Sequence, residues 1–249
     1  MNRFFVSEID KDLVAITGND YNHAKKVLRL GENDEIYAVY KEKEYVAKIK
    51  LDDGKNLIIE NIKETKVLRE PNVNIHIYQS LPKSSKMDYI VQKNVEIGIN
   101  KLTPIISDRS LVKIKNNKKE KKKLQRWNKI SEEAAKQSMR NKIPQIKSVL
   151  SFENMIEELK RNINDGDREV IVPYENELIK SAKHINYKKK NYSVVIGPEG
   201  GFERKEIDRL LEIGAKPITL GPRILRSETA ALVLSTIIIY ETGNMRRKL

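Results

Sequence analysis

Two glycine-bearing turns near the C-terminus carry the residue types from which a ligand site can be built: residues 196–202 (IGPEGGF) and 220–230 (LGPRILRSETA). Each follows a short apolar run, residues 192–196 (YSVVI) and 215–220 (AKPITL). Each turn is therefore expected at the end of a parallel strand, where open α/β sheets bind ligands. Exposed backbone N–H groups in a glycine turn commonly make a nest for a phosphate. Here the chemistry points elsewhere. Pro198 has no N–H to donate, Glu199 repels an anion, and neither Gly-Lys-Ser/Thr nor GxGxxG is present, which removes a P-loop and a dinucleotide fingerprint. A turn that tolerates an acidic residue suits a ligand that is neutral or cationic where it touches the loop. S-adenosylmethionine, with an adenine for backbone hydrogen bonds and a sulfonium cation, meets that description.

The remaining side chains narrow the chemistry. The chain has no cysteine, which excludes disulfides, thiolate metal centres, iron–sulfur clusters and a cysteine nucleophile, and fits a reducing compartment. His76 and His184 stand without ligand-type spacing, so no metal site is expected. Glu199 reads better as an acceptor for backbone N–H groups than as a catalytic base, because glycine-rich turns leave donors in need of partners. Glu228 falls at the start of a helix, where the dipole favours a carboxylate.

The 48 Lys and Arg residues exceed the 35 Asp and Glu residues by 13, and the excess is uneven. Residues 1–70 hold 13 basic and 14 acidic residues, whereas residues 113–142 hold 12 basic and 3 acidic. A general lysine bias would raise the charge everywhere. A local excess points to a polyanion, RNA or DNA, whose phosphates supply most sequence-independent affinity. Lys118, Lys119, Lys121 and Lys122 are the candidate contacts. The N-terminus lacks an apolar core of signal-peptide length, and no stretch approaches the roughly 18 apolar residues of a membrane span. A cytoplasmic protein independent of the membrane is expected.

To position these groups the chain has 249 residues, enough for one large domain or two modest ones. Residues 34–39, 44–50 and 56–62 read as strands of a small β-barrel, with a tight turn at Asp53-Gly54. Residues 20–30 are expected as a short helix with Asp20 as N-cap and Gly31 as its stop. Residues 68–73, containing Pro71, read as a linker, which places one domain at 1–70 and another at 71–249. Beyond it, strand 73–79, helix 86–97 stopped by Gly98 and strand 102–106 make a βαβ unit. Helix 120–140 follows, with Leu124, Trp127, Ile130, Ala134 and Ala135 at helical spacing. Trp127 is its expected core anchor, and its other face is basic. Helix 152–159, strand 169–172 and the two strand–turn pairs come next. Residues 228–240, apolar almost all round, are expected as a buried helix capped by Ser227, packed on the domain, on a partner subunit or on both.

These residues resemble a known family. IGPEGGF at 196–202 with LGPRILRSETAA at 220–231 looks like the C-terminal signature of the RsmE-type 16S rRNA (uracil-N3)-methyltransferases of the SPOUT superfamily. Further matches run through the chain: Arg3-Phe4-Phe5, His23 with VLRL at 27–30, KMDYIVQKNVEIGI at 86–99, and RWNKISEEAAKQSMR at 126–140 ahead of Pro144. The resemblance implies an α/β C-terminal SPOUT domain with a mostly parallel sheet and a deep trefoil knot, preceded by a small PUA-like RNA-binding β-barrel. Knots are too rare for residue patterns alone to have indicated one.

The resemblance also implies a homodimer and methyl transfer from S-adenosylmethionine to N3 of one uridine of 16S rRNA, position 1498. The substrate would be the rRNA itself or the assembled small ribosomal subunit. Ile196, Gly197, Pro198, Glu199, Gly200, Gly201, Leu220, Gly221, Ile224 and Leu225, with Val172 and Pro173 from another strand end, are the implied donor pocket. Arg226 and Arg223 would project beside the donor, to bind an RNA phosphate or stabilise the uracil anion, with Arg226 as the catalytic candidate. Arg3, His23, Lys25, Lys26 and Arg29 are the implied RNA contacts of the barrel.

Methylation at pyrimidine C5 generally uses a cysteine nucleophile, which this chain lacks. Direct attack by nitrogen or oxygen needs only in-line alignment and loss of a proton. No residue stands out as the general base. A SPOUT-type ribose 2′-O-methyltransferase and a catalytically silent rRNA-binding assembly factor are the alternatives left open.

Overall fold

The computed structural model describes every residue except 1, 8–13, 84–85, 111–116, 164–165 and 247–249. Lys113 and Lys115, which open the basic segment, lie outside the described residues. The chain forms two units that divide between Glu70 and Pro71, except that Lys136–Lys142 belongs to the first.

The first unit is a five-stranded sheet curled around one core. β1 (Asn2–Phe5), β2 (Val14–Ile16), β3 (Glu35–Tyr40), β4 (Lys43–Asp52) and β5 (Leu57–Glu64) lie in the order β1-β3-β4-β5-β2. β1 is parallel to β3, and the other pairs are antiparallel. Alternation along the strands builds the core: Phe4, Ile36, Ala38, Ala47, Ile49, Leu57 and Ile59 are each at most 1% exposed. Lys41 and Glu42 join β3 to β4, both at positive φ (46° and 63°), as a two-residue hairpin requires. The expected helix is displaced. α1 (Gly18–Asn22) runs into a π-helical turn, His23–Val27, and Thr17 holds the N-cap position without a side-chain bond. Asp20 instead accepts from Lys136 Nζ at 2.7 Å. The stop is Arg29, at φ 56°, where Leu30 N–H reaches the Ala24 carbonyl at 3.0 Å, so Gly31 does not end the helix.

A buried charge cluster ties this unit together. The Glu44 carboxylate accepts from Arg3, from Arg69 Nε at 2.6 Å and from Thr65 Oγ1 at 2.8 Å. Arg3 also donates at 2.7 Å to the Arg140 carbonyl and to Asn141 Oδ1. The Arg3 and Glu44 side chains are each 1% exposed. Burial, and then the neighbouring Arg69 charge, lower the Arg3 guanidinium to about 10.

The second unit is an all-parallel sheet of seven strands. β6 (Asn74–Ser80), β7 (Lys101–Ile106), β8 (Gln145–Ile146), β9 (Leu150–Ser151), β10 (Arg168–Pro173), β11 (Asn191–Ile196) and β12 (Lys216–Ile218) follow the order β12-β10-β11-β6-β7-β8, with β9 also on β7. α2 (Lys86–Ile97) and α6 (Ser227–Glu241) cover one face of the sheet, and α4 (Phe152–Ile163) and α5 (Arg204–Glu212) the other. α3 (Asn117–Gln137) buries Trp127, Ala134 and Ala135. From α5 the chain forms the edge strand β12, and residues 219–226 then carry it past the ends of β10 and β11 to α6 on the opposite face. Ser227 is the first residue of α6 rather than its cap; Arg226 holds the N-cap position in extended conformation. α5 lies outside the expected elements: it is 9 residues long and starts from an acidic capping box, Glu203 with Glu206, rather than from Ser or Thr.

His76 is buried on the α4 side of the sheet, with Nε2 2.7 Å from Thr103 Oγ1 and its ring 4.1 Å from that of Tyr78. Burial, followed by the charges of Lys101, Arg168 and Lys147, depresses its pKa from 6.5 to about 3. Between those values the unfolded chain binds a proton that the folded chain refuses, so stability falls as pH drops below 6.5 and is insensitive to this group above it. The expected loss between pH 7 and pH 4.5 is about 2–3 kcal/mol. Denaturant unfolding across this range should show the slope, and His76→Gln should flatten that part of it.

Candidate functional site

Because the strands are parallel, the carboxyl ends of β10, β11 and β12 emerge on one edge of the sheet, and their three exit loops are tied together. Tyr174 N–H donates to the Ile218 carbonyl at 3.0 Å and Thr219 N–H to the Lys180 carbonyl at 2.7 Å. Ser227 Oγ donates to the Gly197 carbonyl at 2.6 Å. Between the loops lies a cleft of about 830 Å³, walled by Pro173, Tyr174, Glu175 and Leu178, by residues 196–202, and by residues 219–227 with Ala230. This is ample for a nucleoside-sized ligand.

Both glycine turns therefore meet in one site. Of the residues implied for the donor, Pro173, Ile196, Gly197, Pro198, Glu199, Gly200, Gly201, Leu220, Gly221, Ile224 and Leu225 all line the cleft. Val172 does not: the pleat of β10 turns it into the core with α4 and α5, where it is 1% exposed, and turns its neighbour Pro173 to the cleft. Tyr174, Glu175 and Leu178 also line it without any motif to announce them, whereas Phe202, Pro222 and Ser227 sit within the quoted turns. Two glycines are required by the backbone. Gly221 is at φ 109°, and Gly201 is at φ 71° where a Cβ would run into the Glu175 carboxylate.

The charges divide into engaged and unengaged groups. Glu199 accepts from Lys83 N–H at 3.2 Å, and Lys86 Nζ lies 3.5 Å from Glu199 and 3.3 Å from Glu228. Burial raises the Glu199 carboxyl, but its own and the Lys83 backbone N–H groups and the Lys86 ammonium outweigh this and leave it below its ordinary value. Arg109 donates to Glu203 at 2.6 Å and to the Gly200 carbonyl at 2.8 Å, which braces the first turn from outside. Arg223 and Arg226 line the cleft and are exposed, and their side chains make no hydrogen bond or ion pair among the described residues.

These donors and walls fit S-adenosylmethionine better than a phosphate ligand. Backbone groups of the turns can read an adenine, Pro173, Ile196 and Leu225 give apolar walls, and Glu175 and Glu199 suit a positive charge.

Of the other basic candidates, His23, Lys26 and Arg29 are exposed on the first unit. Lys25 is engaged, 2.9 Å from Asp52 and 3.0 Å from the Leu30 carbonyl. Arg3 is buried in the charge cluster and is left out of any RNA surface. On α3 of the second unit, Lys118, Lys119, Lys121 and Lys122 are exposed. Among the described residues no group of three or more His, Asp or Glu side chains could hold a metal ion, and no helix is long and apolar enough to cross a membrane.

Residues 69–239 match an RNA methyltransferase domain and residues 16–60 an RNA methyltransferase PUA domain. The chain is 34% identical to the ribosomal RNA small subunit methyltransferase E of Bacillus subtilis, with 99% of each chain covered. A ribosomal RNA small subunit methyltransferase E from Neisseria gonorrhoeae bound to S-adenosyl methionine has a TM-score of 0.84 at 28% identity, over 96% of this chain and 97% of that one. A putative methyltransferase from Legionella pneumophila in complex with the same cofactor has a TM-score of 0.84 at 28% identity, over 96% of both chains. A relative matched from end to end, and a domain model matched over most of the sequence, mean that the chain belongs to the RsmE-type family of ribosomal RNA small subunit methyltransferases.

Proposed function

We propose that this protein methylates N3 of uridine 1498 of 16S rRNA, using S-adenosylmethionine. The observation that carries the reading is the cleft in which two glycine turns from different strands converge, with two unengaged guanidinia at its edge. Bound there, S-adenosylmethionine supplies an electrophilic methyl group. The turns and the apolar walls hold the nucleoside. Glu199 and Glu228 are both engaged by Lys86, so neither is free to serve as general base. Arg226, assisted by Arg223, stabilises the uracil anion and so lowers the pKa of the N3 proton, which leaves to water. A chain without cysteine suits direct nitrogen attack rather than a covalent ring adduct.

The rRNA is held by the lysines of α3 and by His23, Lys26 and Arg29, and the protein acts in the cytoplasm, where its substrate is. It works as a homodimer: α6 leaves Leu232, Val233 and Ile237 half-buried and Tyr240 66% exposed along one face, an apolar stripe that a second copy would cover.

Replacing Lys118, Lys119, Lys121 and Lys122 with Gln should weaken rRNA binding and lower the slope of log affinity against log salt by roughly 3. Fluorescence anisotropy at several salt concentrations measures this, and an unchanged slope would remove α3 from the RNA surface. Titration calorimetry with S-adenosylmethionine tests the donor site. Saturable binding is expected, and its absence would favour a catalytically silent rRNA-binding factor.

A further inference from the structure

A ligand that touches two turns from different strands needs those turns held at one spacing, and a side chain outside the cleft fixes it. Gln79, near the end of β6, is fully buried. Its Nε2 donates to Ser227 Oγ at 2.8 Å and to the Ser80 carbonyl at 3.1 Å. Ser227 Oγ in turn donates to the Gly197 carbonyl at 2.6 Å. Serine has a single hydroxyl proton, and Gly197 takes it, so only a donor can approach from Gln79. The relay therefore runs in one direction, from Gln79 through Ser227 to Gly197, and joins the exit of the second turn to the entry of the first. Lys86 provides an outer tie between the same two turns through Glu199 and Glu228, but its side chain is 33% exposed. Solvent screens that pair, which leaves the buried relay as the stronger constraint.

Gln79 Oε1 is buried without a hydrogen-bond partner among the described residues. A stranded acceptor is unfavourable, and a methionine of similar length and volume would fill the space without one. The amide donates locally to the Ser80 carbonyl, within its own strand, and only its donation to Ser227 reaches the two turns. We propose that Gln79 is a positioning residue for the methyl donor. Acting through Ser227, it holds the Gly197 turn against the 220–226 turn and sets the affinity for S-adenosylmethionine without touching it. This rests on the cleft being the donor site.

Calorimetry with S-adenosylmethionine on the native protein, Gln79→Met, Ser227→Ala and the double variant tests the proposal, together with thermal midpoints measured without ligand. Gln79→Met should keep its midpoint within about 5 °C of native and bind the donor about tenfold more weakly. The double variant should bind no more weakly than Ser227→Ala alone, because Gln79 acts only through Ser227. Native-like affinity in Gln79→Met, independent multiplication of the two losses, or failure of Gln79→Met to fold would each overturn the proposal. If the native protein itself binds no S-adenosylmethionine, the reading of the cleft falls, and this inference with it.

Discussion

With Arg226 replaced by alanine, turnover is expected to fall about a hundredfold while the dissociation constant for S-adenosylmethionine stays within about twofold. The helix start should survive the change. Arg226 caps α6 through its backbone: its side chain makes no capping bond, and its carbonyl accepts from Ala230 N–H at 2.8 Å. The guanidinium has no hydrogen bond or ion pair among the described residues, so its removal strands no partner. What is lost is a cation beside the acceptor. Without it the uracil anion is less stable, so the rising limb of the pH–rate profile should move to higher pH at saturating RNA. An unchanged profile would contradict the role. Arg226→Lys should recover part of the rate, since it restores charge without the planar fork.

The largest stability effect is expected from Glu44→Ala, about 3–5 kcal/mol in the first unit. Glu44 is the shared acceptor for Arg3, Arg69 and Thr65, and the Arg3 side chain is 1% exposed. Deleting the carboxylate leaves a buried guanidinium beside a second one, a far greater cost than breaking a surface pair. The outcome can be read as a lower midpoint for the transition of this unit, followed separately from the second unit because the two need not unfold together. A shift of less than about 1 kcal/mol would mean that the cluster relaxes into water once Glu44 is gone.

The legible parts of this protein were local. Pro198, Glu199 and the glycines set the chemistry of the first turn within a few residues, and the apolar runs before both turns announced their strands, so the cleft could be assembled from sequence. The β-branched runs of β3, β4 and β5 were equally plain. Features that depend on a distant partner were not legible. Arg3 looks like a surface cation until β4 and Lys136–Lys142 bring Glu44, Arg140 and Asn141 around it. Whether Val172 or Pro173 meets the ligand depends on strand parity at the end of β10, which a range cannot decide. The Lys41-Glu42 turn has no glycine or asparagine, and β8 and β9 are 2 residues each, too short for periodicity to register. Gln79 carries no motif; only the structure brings its amide to Ser227.

The most direct test is the product. The native protein is incubated with labelled S-adenosylmethionine and either 16S rRNA or small ribosomal subunits that lack the modification; the RNA is then digested and mapped by mass spectrometry. The expected result is a single 3-methyluridine at position 1498, formed by the native protein and strongly reduced with Arg226→Ala. Label on a ribose 2′-oxygen, or none on either substrate while the donor binds, would contradict it.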